Sequence, residues 1–172
     1  MPYLSPPTLT NAEQDALLSA TTGRDHLIFS LALGTGLRLA EIVGLNVGDV
    51  YFPDGTPRGR MLLRREIANG GRAGDVFLPD ALLPKLECFW SYKRRSGECL
   101  EADSPLFCNQ SRQRISKRRV QMAFKTWQVK AGFDRLYPLH ALRHTQSQDV
   151  TAIEPLCEAQ VFRIQRFERL VA

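Results

Sequence analysis

Apolar residues recur at three- and four-residue steps through most of the chain and run as short strand-like stretches in one region. That pattern predicts a mainly α domain with a small antiparallel β-sheet, an α+β class. Residues 1–9 hold three prolines and no periodicity and read as a leading linker, after which Thr10 and Glu13 match a capping box that opens a helix to about Thr21. A second helix from near Arg24 carries Leu27, Ile28, Leu31 and Ala32 and stops at Gly34 and Gly36. Both helices are expected to be half buried. A third, short helix over 35–45 turns Leu37 and Leu45 inward and places Arg38 in its first turn.

The pattern then changes. Residues 61–67 and 75–78 are strand-like runs around Asn69, Gly70 and Gly71, which predicts a hairpin. Pro79 and Asp80 open a helix through Leu82, Leu83, Leu86, Phe89 and Trp90 that ends in Lys93, Arg94 and Arg95 near Gly97. Cations there suit the negative end of the helix dipole. A short apolar run over 105–108 is followed by a basic stretch and a helix bearing Val120, Phe124 and Trp127, closed by Gly132. Tyr137 and Pro138 lead into Leu-His-Ala-Leu-Arg-His-Thr at 139–145. Residues 146–172 form a divergent C-terminal tail in which Val161, Ile164, Phe167 and Leu170 predict one amphipathic helix.

A chain of 172 residues with 44% hydrophobic content can bury one real core, so a single domain over 10–145 is expected, flanked by the linker and the tail. The net charge of +5 favours a polyanionic partner. No secretory leader precedes the four cysteines and none of them forms a C-x-x-C pair, which suggests a reduced, cytoplasmic setting. The longest apolar region, 27–45, is broken by Ser30, Thr35, Arg38 and Glu41, so no membrane span is expected.

Three groups of residues carry candidate chemistry. If 139–145 is helical, His140, Arg143 and His144 stand at i, i+3 and i+4 and project from one face toward a common anion. Arg38, in a helix's first turn, opposes the dipole by about 0.3 to 1 kcal/mol, and Glu41 three residues on could orient its guanidinium. Arg112, Arg114, Lys117, Arg118 and Arg119 crowd a helix start without an acid, a pattern suited to phosphate-backbone contact. No metal is expected. His140 and His144 lack a Glu beside the first His and a third ligand, and Arg143 between them would repel a cation. No cofactor is expected either.

Thr35-Gly-Leu-Arg38-x-x-Glu41-Ile-x-x-Leu45, followed by His140-x-x-Arg143-His-Thr145, resembles the catalytic domain of the tyrosine recombinases, or phage integrases. The resemblance implies that fold, double-stranded DNA as partner, and DNA integration or recombination as function. It makes Arg38, His140 and Arg143 catalytic residues, with Glu41 and His144 supporting them. In the family the two arginines hold the scissile phosphate, the histidine assists proton transfer, a hairpin lysine protonates the leaving oxygen, and a late tyrosine is the nucleophile. Here Asn69 stands at the hairpin lysine's place, with Arg72 the nearest cation. The four tyrosines, Tyr3, Tyr51, Tyr92 and Tyr137, all precede the second motif. The expectation is a recombinase-like chain, truncated or altered after Thr145, that binds DNA but does not cleave it alone. The alternatives are a subunit completed in trans by a partner's tyrosine, a homo-oligomer, and a regulatory or vestigial module that binds a full-length recombinase.

Overall fold

The computed structural model of the chain describes residues 7–145. Helix α1 (Asn11–Ala20) starts at the predicted capping box: the Thr10 hydroxyl accepts from the Glu13 amide at 3.2 Å and the Glu13 carboxylate accepts from the Thr10 amide at 2.8 Å. Two amides that a helix start would leave unpaired are thereby satisfied. Helix α2 (Gly23–Thr35) departs from the half-buried expectation, because every residue from His26 to Leu33 is buried. It is the central post, and α1, α3, α5, α6 and α7 all pack on it. Apolar residues around its whole circumference follow from that position. It ends at Gly36, whose φ of 67° suits glycine because it has no Cβ to clash.

Helix α3 (Leu39–Gly44) begins later than expected, and Arg38 is its N-cap in extended conformation rather than a first-turn residue. A one-turn helix α4 (Val47–Val50) follows, unannounced by any periodicity. Its start is fixed by Asp49, whose carboxylate accepts from the Asn46 amide at 2.8 Å. Strand β1 (Arg60–Leu63) pairs antiparallel with β2 (Gly74–Phe77), Arg60 opposite Phe77 and Leu63 opposite Gly74. The hairpin is present, but β1 stops short of Ile67. Arg64 ends it: Nε lies 2.9 and 3.0 Å from the two Asp49 carboxylate oxygens, and the guanidinium also donates to the Gly44 carbonyl at 2.8 Å. Those bonds hold the chain against α3 and α4 instead of letting it run on as strand.

A 3-10 turn (Asp80–Leu82) leads into α5 (Leu83–Arg95), which buries Leu86, Phe89 and Lys93. Lys93 stands in the last turn of α5, as its sequence suggested, but its ammonium turns inward. It is fully buried, paired with Glu98, and donates to the carbonyls of Pro105 at 3.3 Å and Leu106 at 3.0 Å. A buried ammonium is tolerable only with such partners, and here they pin the 105–108 segment to α5. Helix α6 (Lys117–Lys130) is capped by the Ser116 hydroxyl, which accepts from the Arg119 amide at 3.2 Å. It buries Val120 and Phe124, the latter edge-on to Phe29 of α2 at 5.2 Å between ring centroids.

The link from α6 to α7 (His140–Thr145) is fixed by buried Gln128, which accepts from the Tyr137 amide at 2.6 Å and donates to its carbonyl at 3.0 Å. Helix α7 buries Ala141 and Leu142 and packs on α2. Thr145 closes the fold on itself: its hydroxyl oxygen accepts from the Leu9 amide at 2.8 Å. The tail and its predicted helix around Val161–170 lie outside the described residues. Among the described residues no helix is long and apolar enough to cross a membrane.

Candidate functional site

The two arginine motifs, far apart in sequence, reach one place because α2 holds both. Its C-terminal end hands the chain through Gly36 to Arg38, and α7 packs along its side. Arg38, His140, Arg143 and His144 line one cavity of about 1180 Å³. Its floor is apolar, including Phe29, Leu37 and Leu142, and its rim is cationic. Arg38, His140 and His144 are exposed, and Arg143 is half buried. The His140 and His144 rings meet edge-to-face at 5.9 Å, as residues one helical turn apart should.

None of the described residues that line the cavity is acidic. Among the described residues, no ion pair or side-chain hydrogen bond occupies Arg38 or Arg143. Glu41 does not orient the Arg38 guanidinium as its spacing suggested. Its carboxylate, nearly buried at 8% exposure, accepts from the Arg38 amide at 2.7 Å and from the Asn69 amide at 3.2 Å. Glu41 therefore caps α3 and ties the hairpin loop to it, leaving the guanidinium free to meet an anion.

That loop is seated at a second point, where Ile67 packs on Gly44. A Cβ added at Gly44 would stand 2.5 Å from Ile67 Cγ2, well inside contact distance. Asn69 and Arg72 are both exposed, and neither lines the cavity.

The basic stretch divides into two kinds of residue. Arg114 departs from the DNA-contact expectation. Its guanidinium donates to the carbonyls of Val43 and Leu45, each at 2.9 Å, and to the Asn46 side chain, closing the end of α3. Burial, then the nearby Arg64 charge, pushes its pKa down. Arg112 sits in the turn between Asn109 and Gln113 with φ of 59°, the one non-glycine positive φ among the described residues. Lys117, Arg118 and Arg119 occupy the first turn of α6, exposed and without a side-chain partner among the described residues. Lys125, also on α6, lines the cavity with the two motifs. The sequence held no sign of it, since an exposed lysine on an amphipathic helix reads as solvated surface.

Helices around a central post, with a two-stranded hairpin beside the arginine, are the tyrosine recombinase catalytic-domain fold. The phage integrase family model matches residues 7–152, and the chain belongs to that family. It is 31% identical over 146 residues to tyrosine recombinase XerC of Chromobacterium violaceum, covering 80% of this chain and 45% of that protein. The crystal structure of XerA recombinase superposes with a TM-score of 0.66 at 22% identity, over 85% of this chain and 49% of that one. Lambda integrase residues 75–356, solved bound to DNA, gives 0.62 at 18% identity, over 85% of this chain and 51% of that one. The chain thus spans about half the length, or less, of the curated relatives it matches.

Proposed function

We propose that this chain binds double-stranded DNA as a site-specific recombinase or integrase-like protein, seating a backbone phosphate between Arg38 and Arg143. The observation that carries this reading is the cavity into which both arginine motifs bring cations that have no acid lining beside them and no side-chain partner among the described residues. Two fixed guanidiniums suit the charge that builds on phosphoryl oxygens, and the His140 imidazole beside them is the cavity's candidate proton carrier. His144, edge-to-face with His140, supports its ring, while Lys117, Arg118 and Arg119 hold flanking backbone. The DNA-bound lambda integrase structure supports the same partner class.

The reading stops short of strand cleavage by this chain alone. No tyrosine follows Tyr137. Tyr137 itself donates its hydroxyl to the Glu13 carboxylate at 2.9 Å and is buried, so it is poorly placed as a nucleophile. At the hairpin position Asn69 has no acidic proton to give a leaving oxygen, and Arg72 holds its proton too tightly.

A nicked suicide duplex incubated with the purified chain tests this. Salt-dependent binding without a covalent protein–DNA band is expected. A covalent band from the chain alone overturns the non-cleaving reading, and salt-independent or absent binding overturns the DNA reading. A band that forms only after a full-length tyrosine recombinase is added assigns the chain instead to completion in trans.

A further inference from the structure

Lys125 lies outside both arginine motifs and outside the basic stretch before α6, yet it lines the same cavity as Arg38 and Arg143. An exposed helix lysine can pair with a carboxylate one turn away. On α6 it cannot, because Lys117–Lys130 contains no Asp or Glu and Lys125 has Gln121, Met122, Gln128 and Val129 at those steps. Among the described residues no carboxylate reaches it from across the cavity either, since none of those lining it is acidic. The helix's other late lysine, Lys130, is differently disposed: its Nζ stacks over the Trp127 ring at 4.5 Å.

The geometry of α6 extends the observation. Arg118, Gln121 and Lys125 fall within about 60° of one another around a helix with 3.6 residues per turn, and Arg118 and Lys125 are separated by roughly 10 Å along it. Gln121 lines the cavity, and Arg118 stands at the helix start without a partner among the described residues. One edge of α6 therefore runs from the cavity to the cationic helix start with cations at both ends and an amide between.

We propose that Lys125 is a further phosphate-binding residue of this cleft, and that the α6 edge from Lys125 to Arg118 carries the DNA strand from the phosphate held by Arg38 and Arg143 to its neighbours. The inference rests on the DNA-binding reading and adds a residue of α6 to the site. Lys125 is a point charge on a flexible stem, so it contributes affinity and position rather than sequence choice.

The test is the salt dependence of binding of the whole chain to a fluorescent duplex, measured between about 50 and 200 mM salt. Each phosphate contact adds about 0.9 to the slope of log K against log salt. Lys125→Ala is expected to lower the slope by about one and weaken binding about tenfold near 100 mM salt, equally for unrelated sequences. Lys125→Arg is expected to restore both, while Lys130→Ala keeps the wild-type slope. Unchanged thermal melting keeps the comparison free of a folding defect, since alanine is favourable on an exposed helix. A wild-type slope in Lys125→Ala, with Arg143→Ala reduced, overturns the Lys125 assignment and leaves the cleft reading standing. Wild-type slopes in both variants overturn the cleft reading and this inference with it.

Discussion

The Glu41 carboxylate stands three residues from Arg38 and beneath the hairpin tip, and it accepts backbone amides from both sides. Its chemistry is structural: an ionised acceptor with two N–H donors at a nearly buried place is stronger than a neutral one. Each such bond is worth about 1.5 to 3 kcal/mol, so Glu41→Ala, which removes both, should lower unfolding free energy by about 3 to 6 kcal/mol in urea titrations, and Glu41→Gln by about half as much. Because Asn69 hangs on the same carboxylate, the hairpin loop should also become more accessible, read as faster amide exchange at 66–72. Neither effect requires DNA. A variant that loses DNA binding while keeping wild-type stability and loop protection would show that Glu41 instead acts directly on the ligand. The pairing suggested by spacing, carboxylate to guanidinium, was replaced by carboxylate to backbone because α3 begins one residue after Arg38. Sequence spacing cannot distinguish those partners, since both lie three residues from Glu41.

Elements show where periodicity suffices and where it fails. Helices α1, α5 and α6 were legible because each buries one stripe, and the hairpin because its two runs flank a glycine pair. Helix α4 was not, since a single turn held by Asp49 has no period to read. The burial of Lys93 was not legible either, because its partners, Glu98 and two carbonyls, come from a following loop. Two predictions belong at this scale. Gly44→Ala puts a methyl into Ile67, a β-branched side chain that cannot swing away, and should cost about 1 to 3 kcal/mol. Ile67→Ala in the same chain should recover part of that loss, and a double-mutant cycle with no coupling would mean the loop does not rest on α3. At the start of α6 the cations oppose the helix dipole, so Lys117→Glu with Arg118→Glu should raise helix stability by about 0.3 to 1 kcal/mol per site while weakening DNA binding at least tenfold. Stability and affinity moving in opposite directions is the signature of residues kept for a ligand; thermal melts beside binding isotherms would show it.

At the scale of the whole molecule, α2 joins the site to the core, and for that reason the site was only partly legible. The motifs at Arg38 and 140–144 could be read residue by residue, but their meeting depends on one all-round buried helix, and Lys125 reaches them because α6 packs on that helix and on α3. The same helix carries a pH-sensitive group. His26 is buried at 8% exposure, its Nδ1 lies 3.0 Å from the Leu18 carbonyl and 3.3 Å from the Thr21 hydroxyl, and Lys85 donates to Ser30 one turn along. Burial, then the Lys85 charge, lowers the His26 pKa from 6.5 to about 4. Below pH 6.5 the unfolded chain therefore takes up a proton that the folded chain refuses until about pH 4, so stability falls as pH falls through that window. At about 1.36 kcal/mol per pH unit, the His26 share of the loss reaches roughly 2 kcal/mol by pH 5. Urea unfolding at pH 7, 6 and 5 should show this slope, and His26→Gln, lower in stability throughout, should flatten it. An unchanged slope in that variant would place the acid sensitivity elsewhere. DNA binding measured on the same samples as stability separates the cavity, lined by Arg38, His140, Arg143 and His144, from the post that builds it.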